Sequence, residues 1–283
     1  MENPLVFPVV SGIMGNKMPG EEWPGESVLD VLERHASCRS YRDEPVPRHH
    51  IERIVGAAQR AATSSNLQMW TAVVIENATT RQRLASLCGE QDHIRRAPIF
   101  IAWCADRSRL DTAADLRGYA QNTEYLESFL VAVVDAAIAM QNATVAAEAM
   151  GYGTCYIGGL RNDTAAIVEL LQLRPRVFPV AGMTLGVPTR HGSPRPRLDQ
   201  SAVLHWEHYR RDDRELLERY DRVMRDTGVY GGRHVAGTTS TGDSAPDLPD
   251  EQYGWMEHSA RRVSRAQRTD LSDVVRRQGF ELR

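Results

Sequence analysis

LESFLVAVVDAAIAMQNATVAAEAM, residues 126–150, decides the architecture of this chain. Phe129, Leu130, Val131, Val133, Val134, Ala136, Ala137, Ile138, Met140, Ala143, Val145, Ala146 and Ala147 leave hardly a polar side. A helix that is apolar all round is buried all round. The pattern extends from about 121 to Gly151, so the expected helix is about 45 Å long. That is long for the core of one subunit. Its small residues would admit a second helix closely, so it reads either as the central helix of a monomer or as the seam of a homodimer. Asp135 interrupts the apolar run from Phe129 to Met140, with Glu127 and Asn142 flanking it. The run therefore falls short of the ~18 apolar residues that a membrane span needs, and no membrane association is expected.

Other elements follow from periodicity and punctuation on either side. Helices are expected at about 27–36, 48–62 and 79–88. Ser27 stands at an N-cap position with Asp30 three residues on, and Gly89 supplies a stop. TAVVIE at 71–76 is β-branched and short, hence a strand. PIFIAWC at 98–104 is a continuous apolar strand of the kind buried on both faces. Another strand, TCYI, runs into Gly158-Gly159. A helix follows Asn162, and Val177 to Val187 is the last clear strand. Polar helices are expected at about 211–227, 255–266 and 270–278. The fold class is therefore α+β, a modest sheet among helices. Residues 1–23 read as an irregular arm, 24–228 as the main domain, 229–252 as a mobile loop rich in Gly, Thr, Ser, Asp and Pro, and 253–283 as C-terminal helices completing that domain.

Composition sets outer limits. The 283 residues are 42% hydrophobic and 25% charged, with a net charge of −3, an ordinary globular balance. A protein that coats nucleic acid would need a clustered positive field, so no nucleic-acid partner is expected. Lys17 is the only lysine, and every other basic residue is arginine. Cysteines at 38, 88, 104 and 155 show no C-x-x-C spacing, which indicates neither a zinc site nor a redox dithiol. They read as reduced thiols in a reducing compartment. Glu2 in place of a basic n-region and the lack of a small-residue cleavage pattern argue against a signal peptide; a cytoplasmic protein is expected. His205 and His208, three apart, have no carboxylate or thiol at ligand spacing, so no metal site is expected.

Several segments gather groups suited to a planar, phosphorylated ligand. His35-Ala36-Ser37-Cys38-Arg39-Ser40-Tyr41-Arg42 puts an imidazole, hydroxyls and two guanidiniums directly after a helix, and charged hydrogen bonds contribute ~1.5–3 kcal/mol each. Thr63-Ser64-Ser65-Asn66-Leu67-Gln68 clusters small donors and acceptors. The adjacent glycines after Tyr156-Ile157 let a flat ligand approach the backbone, although the dinucleotide-binding fingerprint is absent, because a third glycine is missing. Pro196 stiffens a turn between Arg195 and Arg197. Each segment alone also reads as an ordinary loop.

Taken in order, these segments resemble the FMN-dependent nitroreductase superfamily, in particular its oxygen-insensitive NADPH nitroreductase and NADPH–flavin reductase branch. The resemblance rests on HASCRSYRDEPVP (35–47), TSSNLQ (63–68), GEQDHI (89–94), AMQNATVAAEAMGYG (139–153), YIGGLRND (156–163) and PRPRL (194–198). Trp255, Glu257, His258, Arg261 and Arg262 extend it toward the C-terminus. It implies a central mixed sheet wrapped by helices in an intertwined homodimer, with FMN at the subunit interface. It also implies that His35, Ala36, Ser37, Arg195 and Arg197 surround the FMN phosphate and that Arg39 lies near the polar edge of the ring. Gln91 would reach that edge or the ribityl chain. Tyr156, Ile157, Gly158 and Gly159 would line one ring face, and Ser64, Ser65 and Gln68 would come from the other subunit. Ala36 stands where that branch usually has Arg, and Arg195 where the family often has Lys.

The implied activity is ping-pong: NADPH or NADH reduces the flavin, and a nitroaromatic, quinone or free flavin reoxidises it. Arg225 and Arg233 are candidates for the NADPH phosphate. Catalysis would be flavin-borne, with no catalytic side chain. A substrate-specific reductase (a dehalogenase or an enoate-type enzyme) or a flavin-binding protein without turnover are the alternatives.

Overall fold

The computed structural model describes residues 27–190, 192–209 and 213–283. The arm expected at 1–23 lies outside the described residues, as does the start of the helix expected at 211. By its internal contacts the chain divides into two units, one comprising the chain up to Ser193 together with Asp270–Arg283, the other Pro194–Thr269.

In the first unit, four strands form one sheet: β1 (Trp70–Ile75), β2 (Ile99–Asp106), β3 (Gly153–Ile157) and β4 (Val177–Gly186), in the order β1-β2-β4-β3. Every residue of β2 is buried, as its unbroken apolar run requires of a strand covered on both faces. All three strand pairings are antiparallel, so among the described residues the sheet is not the mixed one expected. The register shows why. Ile75, the last residue of β1, lies opposite Phe100 near the start of β2. The intervening α3 (Ala78–Leu87) and α4 (Asp92–Arg96) thus return the chain to the end it left. A bulge at Trp103/Cys104 shifts the β2–β4 register by one residue.

The remaining helices of this unit are α1 (Val28–Glu33), α2 (Arg48–Ala58), α5 (Ser108–Arg117), α6 (Leu126–Ala149), α7 (Thr164–Leu170) and α10 (Leu271–Arg277). Ser27 and Asp30 form the expected capping box on α1. Gly89 and Gly151 end their helices with φ of +91° and +82°, conformations that glycine adopts without a Cβ penalty. Helix α5 is absent from the sequence reading because its apolar residues form no sustained stripe.

Helix α6 packs on α2 and across the sheet. Its inward face carries Ala132, Asp135, Ala136, Ala139, Met140, Ala143, Thr144, Ala147 and Glu148. The expectation that it is buried all round does not hold within one chain. Leu126, Leu130, Val134 and Ile138, spaced by four, are 46%, 48%, 51% and 39% exposed. By length and composition alone this helix could cross a membrane, yet its buried carboxylates Asp135 and Glu148 are both hydrogen-bonded inside the protein. The C-terminal residues Val274, Val275 and Phe280 share a core with Met69, Ala132 and Phe178, and Phe129 meets Phe178 and Phe280 edge-on.

In the second unit, α8 (Arg214–Asp226) and α9 (Trp255–Val263) pack through Tyr220 and Trp255. Residues 229–252 are irregular. They are tied to α9 by the buried Arg261, which donates to Glu257 Oε1 (2.6 Å), Pro246 O (2.6 Å) and Val235 O (3.3 Å). A bridge pairs Thr238 with Ser244.

Gly186, at the end of β4, allows Tyr41 and Pro98 to close on the sheet. A Cβ built there would lie 2.6 Å from Pro98 Cδ and 2.9 Å from Tyr41 Cδ1. Gly186→Ala is expected to destabilise by about 1–3 kcal/mol through overpacking, read as a lower urea midpoint; an unchanged midpoint would refute this packing account.

Candidate functional site

The segment 35–42 lies along the far edge of the sheet. Cys38 N–H donates to Thr154 O (2.7 Å), Arg42 N–H to Val187 O (2.8 Å), and Thr189 N–H to Ser40 O (3.0 Å). The close approach depends on Gly153, where a Cβ would sit 2.6 Å from Cys38 Cβ. The Tyr41 hydroxyl reaches Cys38 O and Thr184 Oγ1, each at 2.7 Å, beneath the strand. Burial and this setting raise its pKa, so it serves as a neutral tie.

Alternate residues of the segment therefore point outward. Ser37 and Arg39 are exposed, and Arg39 makes no ion pair among the described residues. His35 Nδ1 lies 2.7 Å from Oε1 of the buried Glu148. Thr154 Oγ1 donates to that same oxygen (3.1 Å), and Arg34 Nη2 donates to the Glu148 carbonyl (3.0 Å). Glu148 thereby fixes the plane of the imidazole and leaves Nε2 for another acceptor or donor.

Next to this edge, β3 runs into Gly158 and Gly159. Gln91 Nε2 donates to Cys88 O (2.7 Å), and a Cβ on Gly159 would fall 2.7 Å from that nitrogen and 2.5 Å from that carbonyl. Glycine is required there by contact. Gly158 is open, its nearest neighbour being Arg161 Nη2 at 3.8 Å. The Tyr156 hydroxyl donates to Gln141 Oε1 and accepts from Thr144 Oγ1, both at 2.8 Å, which fixes the ring against α6; its pKa is raised by burial. Ile157 is buried beneath.

His93, within GEQDHI, carries no motif of its own that would assign it a role. Its Nε2 is buried and has no hydrogen-bond partner. Burial, then the positive field of Arg39, push its pKa down, with Asp92 opposing. The Arg39 charge also acts on Cys155, at the head of Tyr156-Ile157-Gly158. Arg39, His93 and the start of the glycine turn thus share one electrostatic neighbourhood. Cys88 is pushed up to about 12 by burial and Cys155 upward for the same reason, so these thiols are protonated and inert.

The other predicted residues are held differently. In the loop 63–69, Ser65, Asn66 and Gln68 all have left-handed backbone, with φ of 48°, 57° and 52°. Ser64 N–H and Met69 N–H donate to the two oxygens of Asp135, at 3.1 and 3.0 Å. Arg109 donates to the carbonyls of Gln68 and Trp70. None of these partners belongs to 35–39, 91 or 156–159, so the chain does not bring Ser64, Ser65 or Gln68 to that group by hydrogen bonds.

Arg195 and Arg197 belong to the second unit. Both are exposed, on a turn held where Tyr220 Oη donates to Pro196 O (3.1 Å). Arg225 pairs with Asp221 (3.5 Å), and Arg233 is exposed. Among the described residues no group of His, Cys, Asp and Glu is arranged to hold a metal.

On an α+β frame, the strand edge thus carries exposed hydroxyl and guanidinium groups beside a contact-enforced glycine turn. Residues 32–187 match the Nitroreductase family, and residues 195–283 match its C-terminal domain. The chain is 34% identical over 260 residues to an FMN reductase [NAD(P)H] of Bacillus subtilis, covering 90% of this chain and 98% of that protein. It is 33% identical to an oxygen-insensitive NADPH nitroreductase of Salmonella typhimurium, with 90% and 98% covered. The structure of NfrA2 from B. megaterium superposes with a TM-score of 0.82 at 33% identity, covering 90% and 98%. The chain belongs to the nitroreductase family.

The lowered pKa of His93 has a consequence for stability. The folded state keeps its imidazole neutral where the unfolded chain binds a proton. This contribution is therefore present above the unfolded value of about 6.5 and is lost as pH falls below it. His93→Gln is expected to flatten the decline of the melting temperature below pH 6.5; an unaltered slope would remove His93 from this account.

Proposed function

We propose that the protein is an NAD(P)H-dependent FMN oxidoreductase that reduces small-molecule acceptors such as nitroaromatics, quinones or free flavin by a ping-pong route. The observation that carries this reading is the cradle itself. Arg39, without an ion pair among the described residues, the outward Ser37 hydroxyl and the open backbone at Gly158 are groups that a phosphorylated, planar ring system would satisfy. Relatives that are named FMN reductase and NADPH nitroreductase, matched over nearly their whole length, support it.

FMN supplies the redox chemistry when bound, exchanging two electrons with NAD(P)H and then with the acceptor. The protein's part is binding, position and field. Arg39 would set a fixed positive charge beside the ring's polar edge, and a charge already in position needs no reorganisation. Ser37 and the Glu148-oriented imidazole of His35, with the backbone of Ala36, offer donors to a phosphate. In the second unit, the two guanidiniums of Arg195 and Arg197, on a turn stiffened by Pro196, suit an anion as well. Gln91, which donates to Cys88 O, backs the turn, and Tyr156, Ile157, Gly158 and Gly159 would line one ring face. Protons would come from solvent. Arg233, exposed, is the better of the two candidates for the NADPH phosphate, because Arg225 is engaged with Asp221.

The same reading makes the protein a homodimer. Leu126, Leu130, Val134 and Ile138 form a continuous apolar ridge on α6, exposed in one chain, and a second copy of the ridge would bury it. The loop 63–68, which has no hydrogen bond to the cradle of its own chain among the described residues, would then present Ser64, Ser65 and Gln68 to the partner's flavin. Four buried, unpaired cysteines suit a reducing cytoplasm.

The purified protein is expected to show a flavin spectrum that NADPH bleaches anaerobically. Arg39→Ala should weaken FMN binding or slow bleaching about 10–100-fold, the worth of a charged hydrogen bond; unchanged affinity and rate would refute its role. Val134→Glu with Ile138→Glu should halve the mass in sedimentation and release FMN. A double variant that stays dimeric and yellow would remove the ridge from the interface.

A further inference from the structure

We infer that Asp135 is a positioning residue for the cofactor: from inside α6 it holds the strained loop 63–69 in the one shape that can serve a flavin. This rests on the reading above, in which that loop completes the partner's site. Asp135 is 1% exposed and sits in an otherwise apolar stretch, so burying it needs a return. Its two oxygens take the N–H groups of Ser64 and Met69, at opposite ends of the loop. Charge-assisted bonds to backbone N–H are among the stronger hydrogen bonds.

Between those anchors, Ser65, Asn66 and Gln68 occupy left-handed backbone, which non-glycine residues adopt only when their surroundings enforce it. Within the loop, Asn66 N–H donates to Thr63 O (3.4 Å), Leu67 N–H to Ser64 O (2.9 Å) and Gln68 Nε2 to Asn66 Oδ1 (3.2 Å), while Asp135 ties both ends of the loop to the helix. Glycine is absent from 63–69, although it would hold this shape with less strain. The chain uses side chains and a clamp instead, as expected if the hydroxyls and the amide are needed. Val134 and Ile138 flank Asp135 on the exposed ridge. One stretch of helix thus carries the proposed dimer seam on its outer side and the loop's anchor on its inner side.

The test compares FMN dissociation constants of apo-protein by flavin fluorescence, together with sedimentation and amide hydrogen exchange. Asp135→Asn retains the volume but turns an NH2 group toward one of the two N–H donors. It should leave the dimer intact, speed exchange at Ser64 and Met69, and raise the FMN dissociation constant about tenfold or more. Asp135→Glu, which keeps the charge but displaces the carboxylate by one methylene, should fall between Asn and wild type. It serves as the second variant if Asn does not fold. Ile167→Ala, a core truncation on α7, supplies a variant of lowered melting temperature with FMN affinity retained. FMN affinity in Asp135→Asn within twofold of wild type, or reduced no more than in Ile167→Ala, would overturn the inference. Faster exchange with unchanged affinity would overturn it as well. A wild-type protein that takes up no FMN would bring down the functional reading itself, and the inference with it.

Discussion

Two buried carboxylates on one apolar helix organise this molecule. Asp135 and Glu148 lie thirteen residues apart on α6, about 20 Å along its axis, and both are almost wholly out of water. Ionised groups in that position are tolerated only when hydrogen-bonded, and each is bonded to a segment outside the helix. Glu148 holds His35, Thr154 and, through its carbonyl, Arg34. Asp135 holds both ends of the loop 63–69. The apolar side chains pack α6 onto the sheet; the two charges decide which polar segments are pinned to it, and where.

The sheet contributes in a complementary way. β2 is buried along its whole length, and at the β3 edge Gly153 and Gly186 let the 35–42 segment lie close against the sheet. Strands and contact-enforced glycines thus fix where Ser37, Arg39 and the 158–159 turn stand.

Much of the fold was legible because its signals are local. Gly89 and Gly151 ended helices as expected, β2 read directly from PIFIAWC, and Ser27 capped α1. Signals that depend on tertiary structure were weaker. The five-residue α4 and the irregularly patterned α5 carry no periodic stripe, and the antiparallel direction of β1 and β2 depends on where α3 and α4 deliver the chain. The resemblance singles out the HASCRSYR and YIGG segments, which the structure places along the β3 edge and at the end of β3. His93, Glu148 and Asp135 were not assigned, although a mark was present: Asp135 was read only as a break in an apolar run. A charge that interrupts such a run is a hydrogen-bond partner still to be found, and the partner lay some 70 residues away in the chain.

The order in which the chain is made bears on the split core. Val274, Val275 and Phe280 fill the same space as Met69 and Phe178, yet all of Pro194–Thr269 is synthesised between. At 5–20 residues per second, the nascent sheet waits roughly 4–15 s for its last three apolar plugs. During that interval Phe178 and its neighbours present an open apolar surface. The protein is therefore most exposed to mispairing and to chaperone capture just before its synthesis finishes.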